Sequence, residues 1–253
     1  MKKISEAISD LHKMDMEAGR SGWLQGVHPL PKLLVTVFFI LITVSFGKYD
    51  LAGLLMMGVY LIVSFVLGDI SVRLLVKRMR AVLALVCLVG IANPFFDRKV
   101  LFLIGEFAVT GGMVSAVTLM VKGIFAVSAS YLLMVTTSIE DLCYALRKLG
   151  IPGIFVTVLM LVYRYIIVLL KEIERMTDAY ALRAPGQKGL HYKVWGTMVG
   201  QLLLRSMDRA QLVYDSMMLR GYHGGFYLRC KKRAGRGDYL YAAVWLTALL
   251  VLS

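Results

Sequence analysis

The chain has 253 residues; 58% are aliphatic, aromatic or sulfur-bearing, only 18% are charged, and the mean hydropathy is +0.71. A soluble domain usually carries about 25% charged residues, so a water-soluble globule is excluded. So are a disordered chain, which would lack this apolar content, and a disulfide-stapled module, for which three cysteines are too few. An all-α integral membrane protein remains, and its 29 Lys and Arg against 16 Asp and Glu fall between apolar segments, as in loops held at the cytoplasmic face and not as in a nucleic-acid surface.

Residues 1–32 form an arm containing Lys2, Lys3, Lys13, Arg20 and Lys32; with mixed charges and no apolar core over 1–26, it is not expected to be a cleaved signal. Spanning a bilayer takes about 20 apolar residues, fewer where the bilayer thins. Residues 33–46 and 51–68 are predicted spans joined by a tight turn into an antiparallel hairpin. A basic loop follows (Arg73, Lys77, Arg78, Arg80), then a short third span over 81–92 that stops at Asn93-Pro94. Residues 100–111, with Glu106, read as a partly inserted or outer-face segment; 112–137 is a fourth span with Lys122 as its single charge, and 239–253 a short fifth. The transmembrane region is therefore expected over 33–137 with a last helix at 239–253.

Residues 153–170 are apolar enough to be another span despite Arg164. The following stretch, 171–238, holds 13 Lys and Arg against 6 Asp and Glu, and placing it outside would oppose the positive-inside bias. Residues 138–238 are therefore expected to be a cytoplasmic helical insertion. Within it, apolar positions step by three and four along Leu159, Val162, Ile166, Leu169, Ile173, Met176 and Tyr180, and the next step lands on Arg183. A second stripe, Val199, Leu203, Ser206, Ala210, Val213 and Met217, steps next onto Arg220. Pro185-Gly186 and Gly221 stop the two helices. The small Ser206 and Ala210 are expected to let the two rods cross near their middles, each rod ending in a guanidinium. A cation in a last turn also complements the helix dipole; two at equivalent stripe positions point to docking on another protein.

These residues resemble the transmembrane T component of energy-coupling factor (ECF) transporters, the CbiQ/EcfT family, over nearly the whole chain. The resemblance rests on His28-Pro29-Leu30-Pro31-Lys32-Leu33-Leu34, Asn93-Pro94-Phe95-Phe96, Thr136-Thr137-Ser138-Ile139-Glu140-Asp141-Leu142 and Leu149-Gly150-Ile151-Pro152. It continues through Tyr163-Arg164-Tyr165, the tip Ala181-Leu182-Arg183-Ala184, and Asp208-Arg209-Ala210 leading to Met218-Leu219-Arg220-Gly221-Tyr222. It implies a non-catalytic scaffold in a prokaryotic plasma membrane, working with two ATPase subunits and a substrate-capture membrane subunit. Arg183 and Arg220, with Ala184, Gly186, Leu219 and Gly221, are the implied ATPase-coupling residues. Both tips depart from the family's Ala-Arg-Gly pattern: Leu182 and Leu219 stand at the alanine position and Ala184 at a glycine. The run from Asp208 to Tyr222 is closer to cobalt-type scaffolds, which implies cobalt or another transition-metal ion as cargo, with a shared T component for vitamin uptake as the alternative.

No G-x-x-x-x-G-K followed by Ser or Thr occurs, so nothing here cradles nucleotide phosphates. No cofactor is implied, and no resident metal site: Cys87, Cys143 and Cys230 form no ligand motif, and His12, Met14, Met16 and His28 read as incidental, not as a metal relay. His191 and His223 read as solvated loop residues. Gly196 and Gly200 match a close-packing spacing or a flexible start to the second rod. Two rivals stand: a membrane-embedded lipid-modifying enzyme using Arg164, Glu140 and Asp141, which lacks a converging acid, base and nucleophile, and a secondary transporter, for which inverted repeats are missing.

Overall fold

The computed structural model describes residues 23–47, 50–68, 70, 75–76, 80, 84–86, 88, 100–104, 107–184, 191–225 and 235–252. The elements are α1 (Trp23–Gly26), α2 (Pro29–Ser45), α3 (Leu51–Leu67), β1 (Val100–Ile104), β2 (Phe107–Thr110), α4 (Gly111–Thr136), α5 (Ile139–Lys148), α6 (Gly153–Arg183), α7 (Tyr192–Leu219) and α8 (Arg236–Leu252). The described residues are all-α apart from one antiparallel β-hairpin, in which Phe102 pairs with Val109 and Ile104 with Phe107. The hairpin gives the secondary structure of the segment expected to be partly inserted or at the outer face: Val100 to Ile104 and Phe107 to Thr110 are two apolar runs separated by two residues, a strand-turn-strand pattern. Most of the expected third span, with Asn93-Pro94, lies outside the described residues; 84–86 and Leu88 are helical.

The described residues divide into two packing units, one of 23–138 with 235–252 and one of 139–225. The first is a bundle of α2, α3, α4 and α8. α2 and α3 each lie along α4 and α8 and not along each other; they meet in the centre, where the rings of Phe39 and Tyr60 are 4.8 Å apart. α2 and α3, expected as an antiparallel hairpin, thus face each other across the centre of the bundle. Tyr60 also meets Trp245 edge-on at 4.8 Å, and Val35, Met57, Ala129, Leu132 and Leu249 close the core. Gly58 admits the ring of Phe125, whose Cζ lies 3.0 Å from where a Cβ would stand. The outward positions Leu41, Val44, Ile62 and Val66 are exposed, an inside-out pattern suited to lipid.

Helix ends in lipid leave carbonyls that water cannot reach, and here side chains supply the donors. Lys32, buried in the first turn of α2, donates Nζ to the carbonyl of Thr136 at the end of α4 at 3.0 Å. Lys122, in mid-α4, donates to the carbonyls of Val44 and Phe46 at the end of α2, at 3.2 and 2.5 Å. Gln25 donates Nε2 to the carbonyl of Gly68, which caps α3, at 3.5 Å. Lys32, grouped with the arm by sequence, is thus a structural residue of the bundle. α2 begins before the expected Leu33 because Pro29 and Pro31 occupy its first turn, where a missing N–H costs nothing, and because His28 caps it, Nδ1 accepting from the Leu30 N–H at 3.4 Å.

Candidate functional site

The unit of 139–225 is built from α5, α6 and α7. α5 has Glu140 and Asp141 in its first turn and Arg147 and Lys148 in its last, the charge order that suits the helix dipole. Its buried side chains, Cys143 and Ala145, face the packing surface. Burial, with a smaller contribution from Glu140, holds the Cys143 thiol above its ordinary range. α5 ends in a left-handed Gly150 (φ +92°), and Ile151 and Gly150 return their N–H groups to Leu146 and Arg147, the glycine-dependent stop expected at a helix C-terminus.

α6 has 31 residues, about 46 Å at 1.5 Å per residue; α7 has 28. Both terminate at the residues predicted from the stripes. Arg183 is the last residue of α6, and Ala184, its cap, donates its N–H to Tyr180 at 3.0 Å; Gly186 lies outside the described residues. Arg220 caps α7, and left-handed Gly221 (φ +76°) lets Tyr222 and Gly221 bond back to Met217 and Met218, each at 3.0 Å. A side chain at Gly221 would be strained by that φ. Next to each arginine stands a leucine with almost no cover: Leu182 is 84% exposed and Leu219 89%. Only Leu219 was singled out from sequence; Leu182 carried the same signal, since it too precedes an arginine at a helix end.

α6 and α7 run antiparallel and are joined near their middles by Glu172 on α6, which pairs with Arg205 on α7 and lies 3.6 Å from Arg175. Ser206, adjacent to Arg205, is half-buried and donates Oγ to Leu203 at 2.7 Å; Ala210, one turn on, is exposed. The half-buried row of α7 runs Val194, Met198, Leu202, Ser206, Val213, Met217, so the stripe through Val199 and Leu203 follows the wrong face in the first half of the helix. Gly196 and Gly200 lie inside α7, and a Cβ at either would meet nothing within 4 Å; neither a flexible start nor close packing within this chain applies.

Two grooves flank the pair. One, of about 390 Å³, contains Arg183 with Glu172, Arg175, Tyr180, Gln201 and Arg205. The other, of about 690 Å³, contains Arg220 with Arg147, Arg164, Tyr165, Tyr222 and His223, and no carboxylate lines it among the described residues. Among the described residues no three His, Cys, Asp or Glu side chains come together as metal ligands. His28 is a buried helix cap and exposed His191 caps α7, accepting from the Lys193 N–H at 3.4 Å; His12, Met14 and Met16 lie outside the described residues.

A bundle with apolar helices turned outward and helix ends capped from within defines an all-α membrane protein; Val114–Thr136 and Gly153–Arg183 are long and apolar enough to cross a bilayer, and Pro29–Ser45 and Gly53–Leu67 are shorter apolar helices. Its family follows from comparison with known proteins: the chain belongs to the CbiQ cobalt transport protein family, whose model matches residues 20–229. It is similar to an uncharacterized protein of Methanocaldococcus jannaschii, 26% identical over 92% of this chain and 83% of that one. It is also similar to the energy-coupling factor transporter transmembrane protein EcfT of Thermosediminibacter oceani, 24% identical over 78% of this chain and 79% of that one. A shorter match, 28% identical over 42% of this chain and 38% of the relative, is to the nickel permease LarQ of Lactiplantibacillus plantarum.

Proposed function

We propose that the chain is the multi-pass transmembrane scaffold of an ECF importer in a prokaryotic plasma membrane, passing ATP-driven motion from two ATPase subunits to a substrate-capture membrane subunit. The cargo is cobalt or another transition-metal ion; the family's cobalt transport description and the nickel permease among its relatives support that choice. In this reading 33–137 and 239–253 lie in the membrane, and 138–238 is cytoplasmic because it holds the most basic stretch of the chain.

The observation that carries the reading is the pair of long helices, each ending in an exposed leucine followed by an exposed arginine, Leu182-Arg183 and Leu219-Arg220. An arginine fork can hold a carboxylate or backbone carbonyls of a partner while staying charged, and an adjacent bare leucine supplies apolar area to bury. Ala184 and Gly221 stand at the helix exits, Gly186 belongs to the first tip in this reading, and Ser206 and Ala210 are the residues it assigns to the crossing of the two helices. Closure of the ATPase pair on nucleotide then moves the two anchored helices relative to each other.

The test is co-expression with the ATPase and capture subunits. Arg183→Glu or Arg220→Glu weakens ATPase co-purification and metal uptake, and the double variant abolishes both. Full uptake by the double variant would overturn the reading.

A further inference from the structure

The groove beside Arg220 has a composition that docking of the helix tips does not use. Arg147, Arg164 and His223 line it with no carboxylate among the described residues, and Tyr165 and Tyr222 add hydroxyls. No ion pair joins Arg147 or Arg164 to an acidic residue among the described residues. The Arg147 guanidinium lies over the first turn of α6, so close that a Cβ on Gly153 would collide with its Nη1. That turn is already the positive end of the helix dipole: it has no acidic residue, and Pro152, its cap, makes no side-chain bond to it. A cation against an uncapped helix N-terminus is unfavourable unless an anion sits between them.

The face of α6 leading into the groove is apolar. Ile154, Val158, Leu161 and Tyr165 follow one another at steps of four, three and four; Leu161 and Tyr165 line the groove, and Ile154 and Val158 are exposed. Cations at the edge of an exposed apolar row on a membrane protein are the arrangement that attracts anionic lipid. The apolar wall of Leu161, Val213 and Met217 matches the glycerol and first methylenes of such a lipid, and an arginine fork matches its phosphate.

We infer that the groove lined by Arg147, Arg164 and His223 binds the phosphate headgroup of an anionic phospholipid and holds the first half of α6 against the bilayer surface. The inference rests on the cytoplasmic, non-spanning placement of 138–238 proposed above. It uses Arg164 and Tyr165, which tip docking leaves unexplained.

The test is native mass spectrometry of the full chain in detergent, titrated with phosphatidylglycerol or phosphatidylcholine, with and without excess inorganic phosphate. The expected result is retention of phosphatidylglycerol roughly tenfold above phosphatidylcholine, lost in Arg147→Gln/Arg164→Gln and partly restored in Arg147→Lys/Arg164→Lys. Equal retention of both lipids, or retention unchanged in the glutamine variant, overturns it. Complete displacement by inorganic phosphate would identify a free-phosphate site and also overturns it. Loss of ATPase co-purification in the glutamine variant with lipid retention intact would assign the groove to a protein partner. Arg183 and Arg220 are untouched and the readout needs no ATPase, so failure here is distinct from failure of the docking role.

Discussion

In the bundle, two cations are turned inward and used up: Lys32 and Lys122 end on the carbonyls of Thr136, Val44 and Phe46. In the unit of 139–225 they are turned outward: Arg147, Arg164, Arg183 and Arg220 are exposed, and Glu172, which takes Arg205 and Arg175, is the carboxylate of the Arg183 groove. Lysine, a flexible point charge, serves as a helix-end cap within the chain, and arginine, a planar fork, is left exposed for the docking proposed above. The sign of the charge is the same in both places, and its orientation separates a structural role from the proposed docking one.

The sharpest way to break that contrast is the tip pair. Arg183→Glu/Arg220→Glu is expected to abolish uptake while leaving the melting temperature of the purified chain unchanged, and a large loss of thermal stability would show that these arginines also hold the fold. Lys32→Met should do the reverse. It leaves a buried carbonyl without its donor, a cost of about 2 kcal/mol, visible as earlier unfolding in detergent with ATPase co-purification retained.

Leu219→Ser should weaken ATPase binding by about 1.5 kcal/mol or more, the value of burying a leucine, with no effect on the isolated chain; Leu182→Ser should match it. Lys122→Met is expected to cost about 1 kcal/mol, because its half-buried site admits some compensation. The smallest effect concerns Cys143, followed in a variant with Cys87 and Cys230 changed to Ser. Its raised pKa keeps it a thiol at neutral pH, so maleimide labelling should be slow there and speed up only as pH passes above the ordinary thiol range. Free-thiol rates at neutral pH would show α5 unpacked.

Where local chemistry decides, the sequence was legible. The ends of α6 and α7 at Arg183 and Arg220 follow from periodicity and from the breakers beyond them, and the α5 start follows from its acidic first turn. The hairpin of 100–110 was legible but not drawn out, although two apolar runs stand two residues apart there. The bundle contacts were hidden for a physical reason: Lys32 reaches a carbonyl 104 residues away and Lys122 carbonyls 78 and 76 away, and no local pattern encodes such a pairing. The face of α7 was half legible, since Leu203 and Leu202 are equally apolar and only packing chooses between them.

The two lysine bonds have a mechanical corollary. They tie antiparallel α2 and α4 at points about 20 Å apart along the helix axes, Lys32 at one end and Lys122 at the other. One pin permits swivelling, whereas two so widely spaced forbid both sliding and scissoring unless a pin is pulled. A push delivered to this pair is therefore answered by tilting the pair as a single beam, which is how a lever, as opposed to a spring, passes on displacement.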